Sequence, residues 1–514
     1  MTKRTVQTLG LMLLVTPLIL VGCGGGDKGG GTGGAGGGAG LKYDGAISTG
    51  GTPQDAASTP DVQPPPVDTY LAIDTIVVSD TLLVPDAPPV IDVAPALDVG
   101  VIIDAPLVDA ASPSVDGPDI EAQPDDASPT IDSAPVAVCT ETTKFSGGNV
   151  TANRTLTKVC SPYTITDDIN VNGNATLTIE PGVVLRFDPD TILSIGYNSS
   201  AKLSAMGTAA APITFTSSNS TPGAGDWAGV QLWGNTMNGS TLSYLKLDYC
   251  GSNSDACLVG SGVKPNRVTV DHVTFSHVGA GANAIWQKDK DSNFVISNCT
   301  FSDIPNTPTQ QYAISVYAPS FAGIDATNTF NGKAMVELAG DSISTDTSWK
   351  NIGTTVAVTG ELSIGGTTTP TLTVAAGSVF KFATSTGISI GYNDPGKLVL
   401  AGTATSTITL TSLAGTPGPG DWDGITVWYN SSAKIAYSTI SYAGSTSASS
   451  SNGAVSAVSN DDSLDIQNST LSYSGEYGIG VPCNSTATVT NVGNTFTSNT
   501  LGNIGPGPTG VDCS

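Results

Sequence analysis

The chain has 514 residues, enough for two or three domains, and a formal net charge of −25 with only 19 Lys and Arg residues. So few basic side chains could not neutralise phosphates in number, which argues against nucleic acid as a partner. Charged residues make up only 12% of the chain, about half of the roughly 25% that is usual in soluble domains.

Residues 1–22 have the pattern of an export signal. Basic residues at positions 3 and 4 precede an apolar run from Leu9 to Val21. This run is shorter than the roughly 20 residues that a transmembrane helix needs. The run ends in LVGC, residues 20–23, and resembles a bacterial lipoprotein signal; this resemblance implies cleavage before Cys23 and a lipid anchor on it. The alternative is an ordinary secretory leader with an incidental Cys. Export implies a compartment in which disulfides persist.

Residues 23–138 are predicted to form a disordered tether. Positions 24–40 are almost all Gly, and 52–135 are rich in Pro, Asp, Val and Ala. Between residues 24 and 138 there are 17 Asp and one Glu against two Lys, so most of the acidity lies here. Several Asp residues recur every sixth position, and a short period can also indicate a solenoid. Because the Pro residues do not keep the same spacing and no Gly residues mark turns between repeats, a stalk extended by repulsion between its charges is the favoured interpretation.

From Cys139 onward, whole strings return after 195 residues. TPGAGDWAGVQLW at 221–233 returns as TPGPGDWDGITVW at 416–428, and SIGYN at 194–198 returns at 389–393. TLTIEPGVVLRF at 176–187 likewise matches TLTVAAGSVFKF at 371–382. The sequence therefore predicts two tandem copies, 139–345 and 346–514.

Within each copy, short runs alternate apolar residues with Thr, Ser or Asn, and turn residues separate the runs. Strands this short cannot bury a face alone, whereas parallel coils stacked on one another can. LTIEPGVVLRF at 177–187, NCTF at 298–301 and NSTL at 468–471 resemble right-handed parallel β-helix proteins of the pectin-lyase-like architecture. The whole chain also resembles exported repeat lipoproteins of myxobacteria and their relatives.

The predicted fold class is therefore all-β, a right-handed parallel β-helix made of two tandem copies and preceded by a disordered stalk. Coils of about 20–25 residues would give roughly 15–18 coils. The alternative fold is an array of β-sandwiches, but the sequence lacks a clean repeat of roughly 90–100 residues and its turns centre on Asn.

The eight Cys residues suggest pairings by their spacing, although a sequence cannot fix connectivity. Close spacing suggests the disulfides Cys139–Cys160, Cys250–Cys257 and Cys483–Cys513. Cys299 would be left over, and we expect it to be buried in a turn stack. Because there is no CxxC pair, a structural zinc site is not expected. No cofactor and no metal are predicted, and calcium has only weak support because EF-hand or RTX spacing is absent.

The densest ionisable cluster of the β region is VDHVTFSH, followed by WQKDKDSNF at 286–294. As a catalytic groove it would use Asp271, His272, Asp289 and Asp291, because lyases need a base and glycosidases need two spaced carboxyls. The alternative is structural: His272 and His277 align with Asn468 and Tyr473, where this fold places turn residues.

The repeated Gly-Asp-Trp strings provide four candidate glycan-binding residues: Trp227, Trp233, Trp422 and Trp428. Exposed Trp rings could stack on sugar rings, and Asp could help to hold calcium. In the alternative, structural interpretation, the Asp caps backbone amides of a turn and the Trp packs over the edge of the coil.

The first functional hypothesis is a lipid-anchored, non-catalytic protein of the cell envelope that displays a rigid β-helix for adhesion, glycan contact or structural support. Its partners would be the membrane, through the lipid, and a polysaccharide or another surface protein. Gly24 after the lipid Cys favours the outer membrane, facing either the periplasm or the outside. The alternative is a polysaccharide lyase or hydrolase with its groove around residues 267–291.

Overall fold

The computed structural model describes residues 138–506 except 253–255, 266, 291, 305–311, 333, 446–452 and 484. The chain divides into two units, Met1–Glu121 and Ala122–Ser514, and every described residue belongs to the second. The predicted leader, Cys23 and the predicted tether up to residue 137 lie outside the described residues, as do Asp291 and Cys513. Among the described residues, no helix has the length and apolarity needed to cross a bilayer.

The described residues form short strands because apolar and small polar residues alternate along each run. The strands up to residue 345 are β1 Lys144–Phe145, β2 Gly148–Val150, β3 Arg154–Leu156, β4 Tyr163–Ile165, β5 Ile169–Val171, β6 Ala175–Ile179, β7 Val184–Phe187, β8 Ile192–Ile195, β9 Ala201–Met206, β10 Ile213–Ser217, β11 Gly229–Trp233, β12 Ser240–Asp248, β13 Ala256–Ser261, β14 Val268–Ser276, β15 Asn283–Gln287, β16 Phe294–Ser297, β17 Thr300–Phe301, β18 Ile314–Val316, β19 Thr329–Phe330, β20 Val336–Leu338 and β21 Asp341–Ile343.

The strands after residue 345 follow the same pattern. They are β22 Thr347–Trp349, β23 Thr355–Val358, β24 Leu362–Ile364, β25 Thr371–Ala375, β26 Val379–Phe382, β27 Gly387–Ile390, β28 Lys397–Ala401, β29 Ile408–Ser412, β30 Gly424–Val427, β31 Ser432–Ala436, β32 Ser438–Ser441, β33 Gly453–Ala457, β34 Ser463–Gln467, β35 Thr470–Ser472, β36 Tyr477–Val481, β37 Thr488–Val492, β38 Thr495–Thr497 and β39 Gly502–Pro506. The 3-10 helices Lys158–Cys160 and Ala318–Gly323 interrupt the strands.

All pairings between these strands are parallel, and they form sheets of 12, 14, 7 and 6 strands. A typical coil contributes one strand to each of three faces: in the second copy, β25, β26 and β27 belong to the 6-, 14- and 7-stranded sheets. This arrangement is the predicted right-handed parallel β-helix, and the fold prediction is confirmed.

The 12-stranded sheet covers two faces of the first copy because its two longest strands bend. β12 and β14 have nine residues each, and they bend at Tyr244 and His272, whose φ angles are 45° and 52°. A left-handed residue breaks the alternation, so the two halves of each strand lie on different faces.

Among the described residues, the coils are fewer and longer than the sequence predicted. The 14-stranded sheet runs through 14 coils of the described chain. Val316 pairs with Leu338, 22 residues on, whereas Ser194 pairs with Gln231, 37 residues on. Loops inserted at the corners of the coils account for the difference, because a solenoid coil tolerates insertions between its strands.

Apolar side chains fill the interior of the coils in columns that run along the axis. Phe275, Phe301 and Phe330 stack with centroids 5.2 and 5.0 Å apart, and buried Leu, Ile and Val residues form similar columns on the other faces. Each such side chain stabilises the fold by about 1.5–3 kcal/mol.

The two copies form one continuous β-helix, and equivalent segments lie one face apart. The 14-stranded sheet crosses the predicted boundary at residue 345, where β20 pairs with β23. The motif strands β7 and β8 belong to the 12- and 14-stranded sheets, whereas their counterparts β26 and β27 belong to the 14- and 7-stranded sheets. Equivalent surface residues of the two copies therefore lie on different faces.

Two disulfides are present among the described residues. Cys139–Cys160 and Cys250–Cys257 join the pairs that close spacing suggested. Cys483 is also disulfide-bonded, and its expected partner Cys513 lies outside the described residues. Cys299 is free and buried.

Candidate functional site

The Asp residue of each Gly-Asp-Trp string holds the turn that precedes β11 or β30. Asp226 Oδ2 accepts hydrogen bonds from Gly223 N at 2.9 Å, Ser217 Oγ at 2.7 Å and Asn219 Nδ2 at 2.9 Å. Burial opposes ionisation of this carboxyl, but the three donors lower its pKa below the usual value. Asp421 Oδ2 makes the equivalent bonds to Gly418 N and Ser412 Oγ, so both carboxylates cap turns.

The prediction that Trp227 and Trp422 bind glycan is wrong, because both side chains are completely buried. Trp227 stacks on Phe187 with the ring centroids 4.1 Å apart, and Trp422 stacks on Phe382 at the same distance. Each indole N–H donates to a backbone carbonyl of the neighbouring coil, at 2.8 and 2.9 Å. The structural interpretation of these two residues is the correct one.

Trp233 and Trp428 lie instead on the outer surface, each beside an exposed Tyr. Tyr197 is 55% exposed, and its ring contacts Trp233 edge to face with centroids 4.8 Å apart. Tyr392 is 60% exposed and contacts Trp428 in the same way at 5.5 Å. We call these the Tyr–Trp pairs, Tyr197–Trp233 and Tyr392–Trp428.

The strand register brings each Tyr–Trp pair together. β8 and β11 are parallel neighbours with Ile195 opposite Leu232, so the residues just beyond them meet on the surface. In the second copy β27 and β30 do the same, with Ile390 opposite Val427. Both pairs thus follow from the same motif on two different faces of the β-helix.

His272 and Asp271 form a dyad on a corner of the first copy. Asp271 Oδ2 accepts a hydrogen bond from His272 Nδ1 at 2.7 Å, and Oδ1 accepts bonds from Ser297 Oγ at 2.6 Å and Asn298 Nδ2 at 2.8 Å. Burial opposes ionisation, but these donors lower the pKa of Asp271. His272 stacks on Tyr244 at 4.4 Å, and its ring lines an open groove of about 390 Å³ with Lys246 and Asn298.

A second dyad lies at the next corner of the same strand. Asp248 is buried and accepts hydrogen bonds from His277 Nδ1 at 2.8 Å and Ser276 Oγ at 2.7 Å, while Lys246 Nζ lies 2.6 Å from its other oxygen. Burial opposes ionisation of Asp248, but Lys246, His277 and Ser276 together lower its pKa. His277 stacks on Tyr249 at 4.4 Å, as His272 does on Tyr244.

Both His residues occupy left-handed turn positions, with φ angles of 52° and 51°. Asn468 and Tyr473 have φ angles of 49° and 54° at the aligned positions of the second copy. The structural interpretation of the His cluster as a pair of turn stacks therefore describes the geometry that is present.

Asp289 lies apart from this dyad, on the loop after β15 in the 14-stranded sheet. Its carboxylate accepts hydrogen bonds from Gly262 N at 2.6 Å and from the N and Oγ of Ser292 at 3.1 and 3.0 Å. The structure thus brings Asp271 and His272 together and uses Asp289 to hold a loop. Asp291 lies outside the described residues.

Within the described part of the chain, no three His, Cys, Asp or Glu residues are grouped so that they could hold a metal ion. Cys299 is 1% exposed, and burial raises the pKa of its thiol to about 12. The thiol is therefore protonated at neutral pH, which removes its nucleophilicity.

Sequence reasoning missed three functional candidates: Tyr197, Tyr392 and Asp248. The two Tyr residues stand in the repeated string SIGYN, so the repeat itself marked them. Asp248 is 29 residues from His277, and only the stacking of coils brings the two side chains together.

Residues 148–262 match the family model of the pectate-lyase like beta helix domain. Among curated proteins, Protein bark beetle of Drosophila melanogaster is 34% identical over 105 residues, which is 20% of this chain and 3% of that protein. No solved structure gives a significant match.

These similarities bear on the fold and not on the activity. The family match covers less than half of the chain and lies within the first copy. The chain spans only a few per cent of the length of Protein bark beetle, so the function of that protein is not carried over. One fold of this kind supports many functions, and the function must be argued from the site.

Proposed function

We propose that this protein is a lipid-anchored, non-catalytic component of the cell envelope that contacts glycan through its two Tyr–Trp pairs. The observation that carries the proposal is that both copies present the same edge-to-face pair on the outer surface. Exposed aromatic rings offer an apolar face on which the C–H face of a sugar can stack, and their polar atoms remain available for hydrogen bonds.

Two equivalent pairs on one continuous β-helix also suit a polymeric ligand. A polysaccharide that reaches both pairs gains avidity without any new contact, because the second binding event is intramolecular. Because the pairs lie on different faces, a chain would have to wrap partly around the β-helix, or two chains would be held at once.

The anchor is supported by the sequence of the leader and tether. The apolar run of residues 9–21, with Cys23 shortly after it, predicts lipid attachment, and Gly24 favours the outer membrane. The acidic tether would hold the β-helix away from the bilayer, either in the periplasm or outside the cell. The lipid would make the membrane a partner of the protein.

A polysaccharide lyase or hydrolase is the second candidate, and the groove beside His272 favours it. His272 Nδ1 is held by Asp271, and the ring lines a groove that also contains Lys246, so the arrangement resembles an oriented base beside a cation. Against it, Asp289 is committed to a loop, and hydrolysis needs two carboxyls placed on either side of the bond to be cleaved.

The test uses the full-length protein purified from membranes, with a panel of neutral and uronic-acid polysaccharides. We would measure retention of the protein on each polymer and the size of each polymer after incubation, with and without calcium. Retention of the protein with intact polymer is the expected result. Shortened polymer would contradict the non-catalytic proposal, and absence of any retention would contradict glycan contact.

The variant that tests the site is Tyr197→Ala combined with Tyr392→Ala, and its matched control is Tyr473→Ala. Tyr473 is also exposed, at 41%, but it stacks on Tyr442 in a turn. We expect the double variant to lose retention at least tenfold while the control binds as the unmodified protein does. Equal loss in both would show that retention does not depend on the Tyr–Trp pairs.

A further inference from the structure

A polar pocket of about 200 Å³ lies beside the Tyr–Trp pair of the second copy. Its lining includes Ser342, Ser363 and Ser389, together with Tyr392 and Asp394. The three Ser residues are directly opposite one another on β21, β24 and β27, so their hydroxyls form a row with a spacing of about 4.8 Å.

Smaller side chains at three positions distinguish this site from the equivalent site of the first copy. On the aligned strands β2, β5 and β8, the row reads Asn149, Asn170 and Ser194. Two Asn side chains of the first copy are therefore Ser in the second. Each replacement removes side-chain volume from the wall, where the second copy has its pocket.

The third position is Asn172 in the first copy and Gly365 in the second. Asn172 Oδ1 accepts hydrogen bonds from the backbone N–H groups of Asn198 and Ser199, at 3.0 and 3.3 Å, and so ties the Tyr197 loop to the preceding coil. Gly365 has no side chain to make this tie, and it lines the pocket. All three sequence differences thus reduce the side-chain volume around the pocket.

The Trp of each pair also differs in its hydrogen bonding. Trp233 Nε1 donates to Ser194 Oγ at 3.0 Å, whereas the buried Trp428 Nε1 has no hydrogen-bond partner among the described residues. Ser389, the counterpart of Ser194, lines the pocket. A buried donor without a partner costs free energy, which the first copy avoids through the hydrogen bond from Trp233 to Ser194.

We propose that this pocket is a subsite for a single neutral, hydroxyl-rich sugar unit. The row of Ser hydroxyls and the amide of Asn393 supply donors and acceptors, and Tyr392 supplies an aromatic edge. The volume is below the roughly 300 Å³ of pockets for drug-sized ligands, which suits one sugar ring. The exposed carboxylate of Asp394 at the rim repels uronic acids.

The inference rests on the proposed glycan contact and adds a division of roles between the copies. In this division the pair of the first copy serves as a stacking surface, since its row carries the larger Asn side chains. The second copy adds the pocket and thereby selects the sugar. Selectivity for neutral polymers would accordingly reside in the second copy.

The test is Ser363→Asn in the full-length protein, which installs the residue that the first copy has at the equivalent position. Its control is Ser348→Asn, at an exposed outward position of β22. We expect S363N to lower retention on neutral polysaccharide about tenfold and to reduce the advantage of neutral over uronic polymers, while S348N has no effect.

If S363N binds as the unmodified protein does while the double Tyr variant loses retention, the subsite is overturned and the proposed glycan contact stands. If S363N fails to fold, thermal unfolding of the unmodified protein with added sugar decides, because a ligand of the folded state raises the Tm. A larger shift with a neutral hexose than with its hexuronic acid supports the subsite, and equal or absent shifts overturn it.

Discussion

At the scale of single residues, the two Trp residues of each repeated string have opposite roles. Trp227 is fully buried and stacked on Phe187, whereas Trp233 lies partly exposed beside Tyr197. The first ring contributes to stability, because its whole surface is removed from water. The second is available to a ligand. Stability and binding should therefore respond to different substitutions within one string of 13 residues.

We expect Trp227→Ala to lower the free energy of unfolding by about 3–5 kcal/mol, because it removes a large buried side chain and leaves a cavity. It also leaves the carbonyl of Asp248 without the indole donor. Urea unfolding measures the effect, and Trp233→Ala is the matched control with a smaller loss. A larger loss for Trp233→Ala would contradict the assignment of roles.

At the scale of elements, the corners of the coils depend on stacks of left-handed residues. Tyr244, His272 and Asn298 occupy the same corner in successive coils, with φ angles of 45°, 52° and 53°. Asn tolerates this conformation well, whereas β-branched residues do not. The corner therefore needs residues that accept a positive φ, and His272 meets this need whether or not its ring takes part in chemistry.

We expect His272→Asn to change the free energy of unfolding by less than about 0.5 kcal/mol and His272→Val to lower it by about 1–3 kcal/mol. Urea unfolding of both variants is the measurement. If the protein shortened any polysaccharide, His272→Asn would separate the two roles: lost activity with unchanged stability would assign chemistry to His272. Equal destabilisation by Asn and Val would contradict the turn-stack role.

At the scale of the whole β-helix, the two copies shift the pKa values of their carboxyl groups in opposite directions. In the first copy, donors outweigh burial and lower the pKa of Asp226, Asp248 and Asp271. In the second copy, burial dominates and raises the pKa of Asp462 and Glu476. The two copies should therefore respond in opposite directions when the pH falls.

The carboxyl groups whose pKa is lowered stabilise the first copy above their unfolded pKa of about 4. They lose this contribution as the pH falls below that value. The carboxyl groups whose pKa is raised contribute most to stability below pH about 4. They lose that contribution as the pH rises through their folded pKa. Acidification from pH 7 toward 4 should thus stabilise the second copy, and further acidification should open the first copy.

Hydrogen exchange followed by mass spectrometry can measure this in the intact protein, with peptides from 240–280 and 455–480 compared across pH after correction for intrinsic exchange. The variant Asp462→Asn should reduce the stabilisation of the second copy on acidification toward pH 4. The variant Asp248→Asn should reduce the destabilisation of the first copy at still lower pH. Identical pH profiles for the two sets of peptides would contradict the asymmetry.

Sequence alone determined the architecture of the described residues from Cys139 onward. Parallel coils are predicted by the repeat at 195 residues, by the alternation within each run and by the Asn-centred turns. These features can be read directly from the sequence, because the alternating runs and turns recur along the chain. Alternation also places Trp233 outward, since Val230 and Leu232 of the same strand point inward. The aligned Asn468 and Tyr473 correctly indicated that His272 and His277 are turn residues.

Only the tertiary structure decided which distant side chains meet. Trp227 precedes its strand, so alternation does not determine its side, and the turn held by Asp226 directs it inward. Contacts such as Tyr197–Trp233 and Asp248–His277 join neighbouring coils, and coil lengths vary from about 20 to 37 residues because of corner insertions. The pocket of the second copy depends on that stacking, because Ser342, Ser363 and Ser389 become neighbours only when the coils are in register.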